Sequence, residues 1–326
     1  MIKDPHTGEL TSFDFDHLNA HIPELDRLNV EWETFSFPEP IDSSEMTLKE
    51  WSAIAEIIKR EYAKFDGFVV LHGSDTMAYT ASALSFMLSN LNKAVILTGS
   101  QLPIGTIRTD GRENLITAIE IAAEKDENGE SRVKEVAVYF EYRLYRGNRS
   151  SKVSANQFEA FNSPNYPDLA VAGVDIDYRL PIPATPTEPF DIFTDFDTRV
   201  GLIKVFPGMQ WNLYKDLFDP TKLKAVILET FGSGNSPSDA HMQGLIMNFI
   251  EKGGIVINIT QCLSGSVSQG KYVTSGFFQR AGVCSGKDLT TEAAVTKMMY
   301  LLGKYDSRSD ILLNFHQNLR GEISIG

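Results

Sequence analysis

A two-domain α/β protein built on parallel sheets is the architecture this sequence predicts, and three observations carry it. Short apolar, β-branched runs recur and alternate with segments of helical period, as strands do when crossover helices cover both faces of their sheet. The chain has 326 residues, more than one hydrophobic core ordinarily organises, so two domains of roughly 100 to 200 residues are expected. A stretch at 180–198, "LPIPATPTEPFDIFTDFDT", holds four prolines and no helical period, which reads as an extended linker. The expected division is an N-terminal domain at 1–182, a linker at 183–199 and a smaller C-terminal α/β domain at 200–326.

The elements follow in order. A helical period over 47–64 precedes the first strand, "GFVVLH" at 67–72. A second helix is expected over 76–91, then a strand "AVILTG" at 94–99, a helix over 112–123 and a strand "EVAVYFEY" at 135–142. Beyond the linker come "VGLIKVF" at 200–206, "AVILETF" at 225–231, a helix over 239–252, "GIVINIT" at 254–260 and a helix over 290–302. From 76 through 92 there is no charged side chain, and a helix neutral all round is buried on most sides.

Where the first strand hands over to that helix stand Ser74, Asp75 and Thr76. Helix capping alone accounts for them, because a serine there accepts from free N–H groups and an aspartate favours the positive end of the macrodipole. A carboxylate aimed into an enclosed place nevertheless needs a partner, and a bound ammonium or a lysine would serve. In open parallel sheets ligands bind beyond the carboxyl ends of the strands. Ser74 and Asp75 lie at one such end, and "TGSQLP" at 98–103 lies at the next.

Totals narrow the function. The 43 acidic and 30 basic side chains give a net charge of −13, which repels a phosphate backbone, and no basic block interrupts it, so nucleic acid is not an expected partner. No run approaches the roughly 18 apolar residues of a spanning helix, and the start "MIKDPHTGEL" lacks the pattern of a secretory signal. No membrane association is expected. Two cysteines, Cys262 and Cys284, are too few for a disulfide framework and wrongly spaced for zinc, which suits a reducing cytoplasm and no metal.

Taken together, "FDGFVVLHGSDTMAYTASALSFML", "AVILTGSQLPIGTIRTDGRENLITAI", "IDSSEMT", "RGNRSSKVSANQFEAFNSPN" and "INITQCLSGSV" closely resemble the bacterial type I (cytoplasmic) L-asparaginases. The resemblance runs in order along the whole chain. It implies an asparaginase-like fold, with a flavodoxin-like N-terminal domain that carries most of the site. It also implies a homodimer or homotetramer, no cofactor, and hydrolysis of L-asparagine to L-aspartate and ammonia. The family's Thr–Asp–Lys triad falls on Ser74, Asp75 and Lys152. Serine in place of threonine keeps the hydroxyl and loses a methyl, so hydrogen bonding survives while rotamer restriction falls.

The chemistry fits those residue types. An amide is a poor electrophile, so an activated hydroxyl must attack and donors must meet the oxyanion. Lys152 would take a hydroxyl proton if burial favoured its neutral form; by itself "RSSKVS" reads as a solvated loop. Asp75 would bind the substrate's α-ammonium. Asp42, Ser43 and Ser44 would hold its α-carboxylate through hydroxyls and N–H groups, or cap the helix that follows. Ser100, beside Gly99, would shape the carboxamide pocket. The bound molecule would be L-asparagine or L-aspartate.

The sequence also departs from the family. Its members carry an apolar strand ending in T-G-G-T-I-G whose first threonine is acylated, and no such stretch occurs here. In the alignment Met1 falls just after it, and Leu10 or Phe13 stands near the family's loop tyrosine. Losing a central strand would orphan buried backbone groups at roughly 1–3 kcal/mol each, so a misplaced start, with about 15 residues missing, is expected. The polypeptide as written is expected to be inactive or impaired. A second, regulatory asparagine site would fall on Asn235, Thr260, Gln261 and Cys262, but Glu229 stands where the regulated enzyme has an arginine, which disfavours a bound carboxylate. Cys262 could equally be a small buried thiol. Two alternatives compete: an amino-acid-binding protein without turnover, and an asparaginase-like amidotransferase subunit. The second is disfavoured because no basic RNA-facing block is present.

Overall fold

The structure, a computed structural model, describes residues 22–104, 106–179, 181, 185–270 and 273–324, together with the backbone ladder of Ile2–Lys3 with Leu10–Thr11. The expectation at Phe13, the side chain at Leu10, and the linker positions 180 and 182–184 lie outside the described residues. The chain divides into two compact units, Met1–Thr194 and Asp195–Gly326.

In the first unit, helix α1 (Leu48–Glu61) starts at Thr47, whose side chain and that of Glu50 form a reciprocal capping box. The Thr-x-x-Glu spacing announces this start, so Asp42 is not its cap. Strand β1 (Gly67–Leu71) leads to helix α2 (Met77–Met87), strand β2 (Ala94–Thr98), helix α3 (Gly111–Ala123) and strand β3 (Val136–Phe140). β1 pairs in parallel with β2, and β2 with β3. The sheet then continues as an antiparallel meander through β4 (Arg143–Arg146), β5 (Ala170–Ala172) and β6 (Ile176–Tyr178). Its order is β6-β5-β4-β3-β2-β1. The meander is illegible in sequence because "RLYR", "AVA" and "IDY" are too short for a period to declare itself. The β3–β4 hairpin turns on Glu141 and Tyr142, both at positive φ (46° and 66°), as a two-residue primed turn requires.

β2 and β3 are wholly buried, whereas β1 is half-buried and lies at the edge of the sheet among the described residues. Ile22 and Leu25 pack with Leu115 and close over Val69 and Leu71. Helix α2 buries every one of its side chains except Tyr79, even Thr80, Ser82 and Ser85, as its neutral sequence predicts. It ends four residues before the expected 91. Leu88–Ser89 turns extended to pair antiparallel with Asp191–Ile192, and Asn90 reverses the chain at φ 58°.

The second unit holds a parallel sheet, in order β7 (Val200–Lys204), β8 (Ala225–Thr230), β9 (Ile255–Thr260) and β10 (Cys284–Ser285). Helix α4 (Ala240–Glu251) is capped by Asp239, and α6 (Thr291–Lys304) by Thr290. Two helices without a clear sequence signal, α5 (Val273–Ala281) and α7 (Arg308–Phe315), complete it. Its core joins Ile203, Val226, Leu228, Met242, Ile246, Phe249 and Phe278. Among the described residues no helix is long and apolar enough to cross a membrane.

Candidate active site

At the carboxyl end of β1 the chain cannot yet begin a helix. His72 N still donates to Thr98 O across the sheet at 2.9 Å, and the N-cap of α2 comes only at Thr76. Ser74 and Asp75 therefore lie in the intervening turn. Neither caps α2, because Thr76 is the cap and its own hydroxyl donates to the Ser43 carbonyl at 2.6 Å. The capping account of Ser74 and Asp75 gives way to a different set of partners.

Lys152 supplies them. It lies on a two-residue strand, Ser151–Lys152, held antiparallel against Phe161–Asn162. Its Nζ donates to Ser74 Oγ at 2.8 Å and to Asp75 Oδ1 at 2.6 Å. The lysine side chain is only 17% exposed while that of Asp75 is 68% exposed. The amine is thus drawn inward onto the hydroxyl, and the carboxylate presents itself to solvent. A hydroxyl, a carboxylate and an amine 77 and 78 positions apart in sequence meet at one point.

The other expected residues surround this point unevenly. Asp42 Oδ1 accepts from both the N and the Oγ of Ser44, each at 2.9 Å, and these bonds hold its carboxyl below the usual range. They wind 43–45 into a single 3-10 turn. Buried Ser43 packs on the Ser74 turn so closely that a Cβ at Gly73 would lie 2.6 Å from its Oγ. A Cβ at Gly99 would lie 2.1 Å from the His72 carbonyl, so only glycine lets the end of β2 approach this turn. Ser100 lies against Gly111. Among the described residues, the side chain of that loop that bonds Ser74 is Gln101, whose Oε1 accepts from Ser74 Oγ at 2.9 Å. Gln101 stands within "TGSQLP", where a glutamine in a polar loop carries no chemical signature that would mark it for this role.

His72 is a second residue near this turn that its sequence neighbours do not mark. His72 Nδ1 lies 2.6 Å from Gly73 O, which can only accept, so Nδ1 carries the hydrogen and donates. In the neutral ring Nε2 is then the acceptor, taking the hydrogen of the Thr80 hydroxyl at 2.8 Å, while that hydroxyl accepts from Trp51 Nε1 at 2.9 Å. Burial holds this ring below its ordinary value of 6.5, against the opposing bond to Gly73. A depressed histidine leaves the unfolded chain binding more protons, so stability is expected to fall as pH drops below about 6.5. A denaturation midpoint that drops between pH 7.5 and pH 5 in the parent protein, and drops less in His72→Asn, is the expected result.

In the second unit, Asn235 exchanges both backbone bonds with Phe231. Thr260 Oγ1 donates to Gly232 O at 2.5 Å, and Gln261 Nε2 donates to Val205 O and Glu229 O at 2.6 and 2.8 Å. These groups do gather at the carboxyl ends of β8 and β9, where they fix the loops. Cys262 is exposed and Cys284 buried, so the buried-thiol account of Cys262 fails: it lies past the strand end, in an open loop. Glu229 accepts from Thr291 Oγ1 at 2.5 Å. Among the described residues no cluster of three or more His, Cys, Asp or Glu could hold a metal.

Comparison with known proteins matches the chain, in sequence and in fold, to one family. Residues 1–183 match the domain described as "Asparaginase, N-terminal", and residues 199–315 match the "Glutaminase/Asparaginase C-terminal domain". L-asparaginase 1 of Escherichia coli is 43% identical over 286 residues, which is 87% of this chain and 82% of that protein. The crystal structure of L-asparaginase I from Vibrio cholerae superposes with a TM-score of 0.86 at 40% identity, covering 95% of this chain and 92% of that one. The thermostable L-asparaginase from Thermococcus kodakarensis gives 0.90 at 28% identity, covering 100% and 96%. The chain belongs to the asparaginase family, as its sequence resemblance to the type I members anticipated.

Proposed function

We propose that this protein is an L-asparaginase that hydrolyses L-asparagine to L-aspartate and ammonia, and that Ser74, Asp75 and Lys152 work as one unit in that reaction. The observation that supports it best is the position of Lys152 Nζ, at hydrogen-bonding distance from both the Ser74 hydroxyl and the Asp75 carboxylate. In this reading Lys152 exchanges the hydroxyl proton with Ser74. The exposed Asp75 carboxylate receives the substrate's α-ammonium, and the 42–44 turn packed on Gly73 receives its α-carboxylate. Ser100 borders the carboxamide. No cofactor enters the scheme.

We further infer a homodimer or homotetramer that resides in the cytoplasm, with catalysis assigned to 1–182, a linker at 183–199 and a second α/β domain at 200–326.

Ammonia release from L-asparagine, measured for this chain and for a version preceded by an apolar strand ending in Thr-Gly-Gly-Thr-Ile-Gly, tests the reading alongside calorimetry with L-aspartate. The expected result is turnover of L-asparagine in the extended version and L-aspartate binding to both. Neither ammonia nor heat of binding from either protein would reject it.

A further inference from the structure

We propose that Gln101 is the positioning residue of the Ser74 hydroxyl, supplying through its carboxamide the rotamer restraint that an unbranched serine lacks. The proposal rests on the asparaginase reading of Ser74, Asp75 and Lys152 and deepens it.

The two ends of the Gln101 amide are told apart by their partners. One end lies 3.0 Å from the Gln157 carbonyl oxygen, which only accepts, so that end is the NH2 group. The other end is therefore the carbonyl, and at 2.9 Å from Ser74 Oγ it takes the hydroxyl hydrogen. Lys152 Nζ, which has donors only, meets the same oxygen at 2.8 Å and gives a hydrogen to its lone pair. At rest Ser74 is thus held from both sides, its hydrogen toward Gln101 and its lone pair toward Lys152; the proton exchange with Lys152 needs the hydroxyl only to turn about its C–O bond, which leaves Oγ in the same χ1 well. A serine has three staggered wells open to it, where a β-branched side chain has fewer. The two bonds select the well that the side chain alone would not hold.

Gln101 can do this because it is itself held. Its backbone N donates to Asp110 Oδ1 and Oδ2 at 3.1 and 2.8 Å, and Leu102 N adds a third bond to Oδ1 at 3.1 Å. Asp110 is buried and accepts from Asn114 Nδ2, which also donates to Gly99 O. On the far side, Gln157 lies on the loop that follows Lys152. That loop is stapled by Ser154 Oγ, which accepts from Asn156 N and Gln157 N at 3.2 and 3.0 Å. One carboxamide therefore joins the Ser74 turn to the loop beyond Lys152.

Four forms of the extended chain test it: the parent, Q101A, S74T and S74T/Q101A. In the parent background Q101A is expected to lower kcat for ammonia release about tenfold, the worth of one well-made hydrogen bond, and to change KM less than about twofold. Threonine's branched carbon restrains χ1 by itself, so in the S74T background the same change is expected to cost less than about threefold. Equal losses in both backgrounds would make Gln101 a loop-packing residue and overturn the proposal, as would a gain in kcat on its removal. Crystal structures of the parent and Q101A read the positioning without turnover. Ser74 Oγ is expected in a second rotamer in Q101A, and an unchanged single rotamer on Lys152 would overturn the proposal. A rotamer change in proteins that all fail to release ammonia would reject the asparaginase reading and leave the positioning intact.

Discussion

Lys152→Met is expected to lower ammonia release from L-asparagine about a thousandfold or more, measured in whichever of the two chains, as it stands or extended, turns over. Methionine keeps most of the apolar stem and the volume of this half-buried side chain. It removes the amine, whose nitrogen lies 2.8 Å from Ser74 Oγ and 2.6 Å from Asp75 Oδ1 and is the group proposed to exchange the hydroxyl proton. Lys152→Arg is expected to fail nearly as badly, because a guanidinium does not give up its proton and its planar fork does not fit a point donor shared by two acceptors. Because Asp75 is the proposed ammonium ligand, L-aspartate binding is expected to weaken far less than turnover falls. Residual turnover within tenfold of the parent would remove Lys152 from the reaction.

The largest effect on stability is expected in the second unit, from a lysine that plays no part in that chemistry. Lys297, on α6, and Glu322 are both 0% exposed, and Lys297 Nζ donates to Glu322 Oε1 at 2.5 Å. The same amine also donates to Phe315 O and Gln317 O at 2.8 and 2.6 Å, and Glu322 accepts from Leu319 N and Arg320 N. The pair is thus the anchor by which α6 holds the end of α7 and the segment after it. Lys297→Met would leave a buried carboxylate without its cation and two carbonyls without a donor. The expected cost is about 3–5 kcal/mol, a large share of the stability of an ordinary domain. Adding Glu322→Leu removes the stranded charge but not the stranded carbonyls and N–H groups, so the double variant is expected to regain less than half of the loss. Urea denaturation of the single and double variants checks this. A loss under about 1 kcal/mol in Lys297→Met would show that the pair does not anchor the segment.

Much of the fold was legible because burial dictates composition. The runs that became β2, β3, β8 and β9 are mostly apolar, with their polar residues toward the carboxyl ends, since both faces of those strands are largely covered. The absence of charge in α2 reported its burial directly. The resemblance, in turn, brought Lys152 to Ser74 and Asp75, which no local pattern in "RSSKVS" could have done.

What the sequence determined by itself was periodicity and composition: where buried strands and helices lie, and which residue types could do amide chemistry. Those properties are local, written in the spacing of neighbouring side chains. Tertiary structure decided everything that depends on pairing across distance. It bent Leu88–Ser89 out of a helical pattern to meet Asp191–Ile192, built the meander β4–β6 from segments too short to carry a period, and hid Lys297 against Glu322. It also turned Gln101 of an ordinary polar loop onto Ser74. A hydrogen bond between residues 27 positions apart leaves no mark on either one's neighbours, and only the folded chain brings its two ends together.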